Sequence, residues 1–577
     1  MPNIEKIWKI AEPISDKADI ELQKIDPILR QILFNRGYRT AAKAQEFINA
    51  QIPTGTEPFN LLNMQIAVDR IIWAVQKNHP IAIYGDYDVD GVSATALLTH
   101  ALKQMDANVW SYIPNRFDEG YGLNQDALCT LKDQGAKLVI TVDCGIRSPV
   151  EVSYAQNLGL DMIITDHHSP GPELPPAHAI INPRQPDDPY PEKDLVGVSL
   201  AYKLVDALFQ FRSGNSGNFN QQGTPPNPND YLDLVALGTV ADLAPLIGEN
   251  RALVRAGIDQ LRITKRSGLT ALIGVAGIQP KNITAGTIGY MLGPRLNAAG
   301  RLDTAQSALN LLLAEDFHEA GLLAQKLDYQ NRQRQALTKE SQIKAEEIAI
   351  TEDPESPLIF VHHPDFNPGI VGLVASRLTE KFYRPSIVAN QENEFTRGSC
   401  RSIPNFNITK ALEQCSDLLV RYGGHSAAAG FTVKNEQLSE FKSRLTEIAR
   451  CELDQQELFP ILEADVEVQL SDLTFDLLNQ LNILQPTGRG NPQAKFVSFD
   501  VRVLRSRTVG KDNSHLKLVL SDGFITYDAI AFRQGDWQER LPEFIDIIFN
   551  FELNEYNGKS SLQLNILDIK DPSNRNL

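Results

Sequence analysis

Four short, β-branched apolar runs, at residues 80–84 (PIAIY), 108–113, 137–142 (KLVITV) and 160–165 (LDMIIT), alternate with segments of helical periodicity. This alternation narrows the options sharply, because it is the pattern of a parallel sheet with helices between its strands, and an α/β domain is expected. After a further short run at 179–182, helical periodicity takes over at 196–210 and 230–263. The interval between them, 211–230 (FRSGNSGNFNQQGTPPNPND), is rich in Gly, Asn and Pro and is expected to be a flexible surface insertion.

From 315 to 350 the chain has no Pro, one Gly, and Leu and Ile recurring among charges, which predicts a long, partly exposed helix. Strand-like PLIFV (357–361), helix-like GIVGLVASRLTEKF (369–382) and strand-like PSIVA (385–389) open a second α/β unit reaching to about 452. Between 460 and 570, apolar and polar residues alternate in five runs, as in a small β-barrel or sandwich. A length of 577 residues accommodates three or four such domains. With 42% apolar and 22% charged residues, wholesale disorder and fibrous repeats are excluded.

No run approaches the 18 apolar residues of a membrane span and the N-terminus carries no signal-like segment, so no membrane partner and a cytoplasmic location are expected. Five cysteines without a CxxC pair argue against a disulfide framework and a thiolate zinc site. The net charge of -17 predicts solubility, yet does not exclude nucleic acid. A carboxylate-built metal site supplies much of one sign locally, and a cleft can still be lined by Arg and Lys.

The chemistry gathers behind the first strands. Gly85-Asp86-Tyr87-Asp88-Val89-Asp90-Gly91 follows the first, Asp143 (VDCG) the third, and Asp166-His167-His168 the fourth. In a parallel sheet these are neighbouring strand carboxyl ends, where ligands bind. So many carboxylates beside two imidazoles repel one another unless divalent cations sit among them. Singly, each Asp is more often a helix cap or turn residue, and it is the set taken together that points to metal. A calcium loop fails on spacing: its twelfth position, counted from Asp86, is Leu97 where Glu is required.

GDYDVDG, VDCG, DHH and a later GTVADLAPL (238–246) resemble, in order and spacing, the four motifs of the DHH phosphoesterase family. RGSCRS (397–402) and GGHSAAAGF (423–431) are similar to its DHHA1-like substrate-binding half. PNRFDEGYGL (114–123), GPRLNAAGR (293–301) and QPTGRGNPQAKF (485–496) resemble its RecJ-type single-strand exonuclease branch. One departure is Tyr84, where pyrophosphatase-like members carry a metal-binding His; RecJ-type members also lack that His.

The resemblance implies an N-terminal helical extension (1–60), a DHH catalytic domain (61–314), a connecting helix (315–350), a DHHA1-like domain (351–455) and an OB-like nucleic-acid-binding barrel (456–577). It implies two Mn²⁺ or Mg²⁺ ions, with Asp90, Asp143, His167 and Asp242 on the tighter one. Asp88 and the shared Asp143 would hold the weaker ion, with Asp86 assisting. A mixed carboxylate and imidazole shell suits Mn²⁺ better than Mg²⁺. His168 is expected to face the scissile phosphate, with Asp166 orienting an imidazole.

Arg116, Ser399 and Arg401 resemble a pocket for a 5′-phosphate, and Arg295 and Arg301 resemble contacts that track the strand. Each of these arginines taken singly is more often a surface residue. In GGHSAAAGF, Gly423, Gly424 and His425 could grip a phosphate or a base, or form a turn feeding a strand with His425 in the core. The implied activity is a metal-dependent 5′→3′ exonuclease that releases 5′-mononucleotides from single-stranded DNA in repair and recombination. A single-strand-binding protein and a helicase are candidate partners. The alternatives are a phosphodiesterase for short oligonucleotides or cyclic dinucleotides, which would lack the barrel, and a non-catalytic DNA-binding relative, which would lack an intact Asp and His set.

Overall fold

The structure is a computed structural model that describes residues 5–116, 119–214, 226–454, 456, 458–556 and 559–574. Residues 215–225, the centre of the expected insertion, lie outside that set. The first described element is a strand, β1 (Ile7–Ile10), where only helices were expected before residue 60. Helices at Asp16–Glu21, Pro27–Asn35 and Ala41–Asn49 follow it. β1 runs parallel to a strand at Ile461–Ala464, and the Trp8 indole donates to Asp568 at 2.7 Å. A four-residue strand with mostly exposed side chains carries no periodic signal, and its partner lies far along the chain.

The chain divides into two compact units, one of residues 42–332 with 484–492, the other comprising the remainder. In the first, β2 (Ile81–Gly85), β3 (Val109–Tyr112), β4 (Leu138–Val142), β5 (Asp161–Thr165) and β6 (Ala179–Ile181) form an all-parallel sheet in the order β3-β2-β4-β5-β6. Both faces are covered. Ile81, Ile83, Leu138, Ile140 and Val142 enter one core cluster, while Ala82, Tyr84 and Val139 enter another. Covering both faces makes parallel strands read as unbroken apolar runs. The strand order reverses at β2, between β3 and β4, which is the topological switch point of such a sheet.

The long helix spans Phe317–Glu352. Ala320, Ala324 and Leu327 belong to the core of the first unit, and Ala345 to a cluster of the second. In the second unit, β7 (Ile359–His363), β8 (Ser386–Gln391), β9 (Phe395–Arg401), β10 (Leu419–His425) and β11 (Ala428–Lys434) form a sheet in the order β10-β11-β9-β8-β7. Only β7 and β8 are parallel.

After β12 (Ile461–Ala464) and β13 (Val466–Glu467) come β14 (Phe496–Val509), β15 (His515–Ser521), β16 (Thr526–Ala531), β17 (Phe544–Tyr556) and β18 (Lys559–Lys570). These last five close a barrel, because β14 pairs with β15 on one side and β17 on the other. Register shifts at Ser498/Val501 and Val503/Arg505 let one long strand serve both neighbours.

Candidate metal centre

The register of the parallel sheet aligns Gly85, Val142 and Thr165. The next residues, Asp86, Asp143 and Asp166, therefore leave the sheet at one level. Asp88 caps the helix Val89–Lys103, one carboxylate oxygen accepting from the backbone N–H groups of Asp90 and Gly91. The capping and ligand readings of this residue are thus compatible. A Cβ on Gly91 would lie 2.6 Å from the Asp86 carbonyl oxygen, so only glycine lets the helix start so close to the strand end.

Asp90 is buried, and its two oxygens accept from Gly197 N at 2.7 Å and Val198 N at 2.8 Å, the first turn of the helix Gly197–Gly214. Gly197 is as constrained: a Cβ there would lie 2.5 Å from Asp143 Cβ and 3.0 Å from Asp90 Oδ2. Asp143 itself has φ 64°, a left-handed conformation of the kind retained where function demands it. Asp242 ends the helix Leu232–Ala241 as its C-cap, which carries it to the same place from a remote part of the chain.

Two groups of ligand atoms result: Asp90, His167 and Asp242, and Asp86, Asp88 and Asp143, with the atoms of each group within 4.8 Å of one another. A third group, Asp143, His167 and His168, overlaps both. His167 Nε2 lies 3.0 Å from Asp143 Oδ1, 3.9 Å from Asp90 Oδ2 and 4.0 Å from Asp242 Oδ2. Neither Asp143 Oδ1 nor His167 Nε2 makes a hydrogen bond with this geometry, and Asp86 Oδ1 also has no hydrogen-bond partner. Buried polar atoms left so are costly, and these three belong to groups of oxygen and nitrogen atoms that could hold divalent cations, Asp143 sharing one group with His167 and another with Asp86.

Charge supports this. Burial, aided by His168, pushes His167 down to about 3, so its ring is neutral with a lone pair to offer. Burial and the mutual repulsion of the carboxylates push Asp86, Asp90 and Asp143 up, and Asp242 up to about 7. Bound cations reverse that repulsion. Oxygen and nitrogen donors without sulfur fit Mn²⁺ or Mg²⁺.

His168 is held mainly by a different network. Its Nδ1 lies 2.7 Å from Asp166 Oδ1, and its backbone N–H donates to the same oxygen at 3.0 Å. Burial works to raise the Asp166 carboxyl, but the His168 hydrogen bond and charge, with the Ile146 N–H, hold it below the ordinary range. In return, burial works to lower His168 and Asp166 raises it above the usual imidazole value. With Nδ1 engaged, Nε2 is the nitrogen left for a ligand.

His168 lines a cavity of about 340 Å³ together with Asp86, Asp88, Asp143, Asp242, Arg116 and Arg301. The cavity is also lined by three polar side chains that the motifs did not mark as site residues, Tyr87, Tyr121 and Asn297. The Arg116 guanidinium lies over the Tyr87 ring at 5.0 Å, and Tyr121 Oη is 3.1 Å from His168 Nδ1. All three sit inside motifs singled out above, beside residues of stronger chemical character.

Arg295 does not line this cavity; it is tied to Asp328 at 3.0 Å and to the Met291 carbonyl. Within the second unit, Ser399 and Arg401 lie on β9, with Arg401 Nη1 donating to Ser399 Oγ at 3.1 Å. Both face Gly372, at the start of the helix Val371–Phe382, where a Cβ would meet Ser399 Oγ at 2.9 Å and Arg401 Nη2 at 3.1 Å. Gly423, Gly424 and His425 end β10 in a hairpin with β11, and His425 is exposed and not a core group.

The profile of the DHH family, N-terminal domain matches residues 80–239, that of the DHHA1 domain residues 355–450, and that of the RecJ OB domain residues 464–568. Fold and site thus define a DHH-class protein with a DHHA1 domain and an OB barrel. The single-stranded-DNA-specific exonuclease RecJ of Bacillus subtilis (strain 168) is 38% identical over 567 residues, 97% of this chain and 70% of that protein. RecJ of Escherichia coli (strain K12) is 34% identical over 572 residues, 96% of this chain and 98% of that one. The crystal structure of RecJ in complex with Mn²⁺ from Thermus thermophilus superposes with a TM-score of 0.83 at 29% identity, covering 98% of this chain and 80% of that one. A Mg²⁺ complex of RecJ from the same source gives 0.77. The chain belongs to the RecJ family.

Proposed function

We infer that the chain is a metal-dependent exonuclease that hydrolyses the phosphodiester bonds of single-stranded DNA. The observation that carries this reading is that Asp143 Oδ1, His167 Nε2 and Asp86 Oδ1 are buried without hydrogen bonds at the strand ends of a DHH sheet, Asp143 sharing one ligand group with His167 and another with Asp86. The relatives that share nearly the whole chain bear the name of that activity.

Asp90, Asp143, His167 and Asp242 would hold one cation, and Asp86, Asp88 and the shared Asp143 the other. Two divalent cations there supply Lewis-acid activation of a water and neutralise charge on both oxygens of an in-line displacement. The chain's own groups do the rest. Asp166 fixes the His168 ring and favours its protonated form, so Nε2–H donates to a non-bridging phosphate oxygen as charge develops. Arg116, stacked on Tyr87, and Arg301 hold phosphates at the cavity. Ser399 and Arg401 bind the 5′-phosphate, which sets a 5′→3′ polarity and 5′-mononucleotide products.

The substrate is single-stranded DNA, with a single-strand-binding protein and a helicase as partners in repair and recombination. No described helix is long and apolar enough to cross a membrane, and a cytoplasmic location is the accompanying proposal. The test is a single-stranded oligonucleotide labelled at either end, with and without Mn²⁺. Mononucleotides should appear only with metal and from the 5′ end first, and Arg401→Ala should reduce the advantage of a 5′-phosphate over a 5′-hydroxyl by about tenfold or more. Release from the 3′ end, or equal rates in EDTA, would refute the reading.

A further inference from the structure

The segment 484–492 falls within the stretch matched by the RecJ OB domain, yet it packs as part of the catalytic unit. A buried guanidinium accounts for this. Arg251, 1% exposed, donates to the carbonyls of Leu484, Gln485 and Pro486 at 2.9, 2.9 and 3.2 Å. Asn491 closes the turn from inside, its amide donating to the carbonyls of Leu484 and Pro486. The tip, Gly488-Arg489-Gly490, is exposed.

That tip lies against the loop after Asp242. Leu246 N donates to the Arg489 carbonyl at 2.7 Å, and Arg489 Nη1 donates to the carbonyl of Leu243 at 3.3 Å. Bracing the loop needs only the backbone bond, so it does not explain why the tip carries an arginine. One weak bond leaves most of the five guanidinium donors uncommitted, and among the described residues no carboxylate pairs with them. Its charge is felt by the Asp242 carboxyl, where it opposes the effect of burial.

We propose that Arg489 is a further substrate-binding residue, whose guanidinium pairs with an internucleotide phosphate of the DNA strand on the Asp242 side of the metal cavity. The proposal rests on the nuclease reading above. A planar fork on a braced turn loses little freedom when it meets a phosphate, and on a chain of net charge -17 a further cation beside acidic ligands, in addition to Arg116 and Arg301 of the cavity, suits the path of a polyanion.

The test compares unmodified protein, Arg489→Gln and Arg489→Lys on 5′-phosphorylated single strands. Each strand carries one neutral methylphosphonate at the first, second, third or fourth linkage, and Mn²⁺ is saturating. Arg489→Gln should raise KM about tenfold with kcat changed less than about twofold, and Arg489→Lys should be intermediate. The unmodified protein should show the same KM rise at one methylphosphonate position, and at that position Arg489→Gln should add nothing. An unchanged KM, or full additivity at every position, overturns the proposal. So does a defect seen only in a parallel series below Mn²⁺ saturation, since Arg489 would then act through Asp242. If the unmodified protein releases no nucleotides, the nuclease reading fails and the proposal falls with it; a failure confined to Arg489 leaves that reading intact.

Discussion

At the scale of single residues, the centre depends as much on what is missing as on what is present. Gly197 has no side chain in the space that Asp143 Cβ and Asp90 Oδ2 fill. Gly197→Ala should force Asp143 aside at an overpacking cost of about 1–3 kcal/mol. Mn²⁺ affinity and turnover should each fall at least about tenfold, measured by metal titration and by nucleotide release, while circular dichroism stays native. Unchanged Mn²⁺ affinity would show that Asp143 is not seated as described. The carboxylates and histidines were legible in the sequence because strand ends concentrate them in short motifs. Gly197, Tyr121 and Arg251 were not, because their roles come from partners distant in sequence: Asp143, His168 and the carbonyls of 484–486.

At the scale of elements, legibility followed burial. β2 and β4 are buried at every residue, so they stand out as apolar runs, and β15 and β16 alternate as one-sided strands do. β1 has neither signal, being short, exposed and paired with β12. Its anchor is specific: Trp8 Nε1 to Asp568 Oδ2 at 2.7 Å, with Lys6 Nζ 3.2 Å from the same carboxylate. Trp8→Phe keeps the ring and removes the donor. It should cost about 1 kcal/mol, read as faster hydrogen exchange at β12 and β18 with exchange at β2 and β4 unaltered. Exchange at β12 as slow as in the unmodified protein would mean that the indole bond does not hold this strand.

At the scale of the whole molecule, the barrel cannot be removed cleanly by ending the chain at the expected domain boundary near residue 455. That cut also removes 484–492, leaving the buried Arg251 without three of its carbonyl acceptors, and an uncompensated buried charge costs about 3–5 kcal/mol. Charge substitution is the better probe. Phe496 is fully buried against Phe549, and the partly buried Phe499 packs on the Ala464, Val497 and Ile548 cluster, so both aromatics serve the packing of the barrel. Arg505, Arg507 and Lys511 are exposed. Replacing all three by Gln should weaken binding of long single strands and flatten the log–log salt dependence by up to ~0.7 for each phosphate no longer neutralised. Dissociation constants across a salt series decide this, and an unchanged slope would assign the barrel to docking a protein partner.

The central claim is that six side chains from four separate stretches of sequence form one site for two cations, bridged by Asp143. Counting bound Mn²⁺ per chain at saturation, in the unmodified protein and in Asp143→Asn, tests it most directly. The expected result is two ions in the unmodified protein and one or none in the variant, because the shared carboxylate serves both positions. Two ions bound equally tightly in both proteins, or none in the unmodified one, would contradict the account.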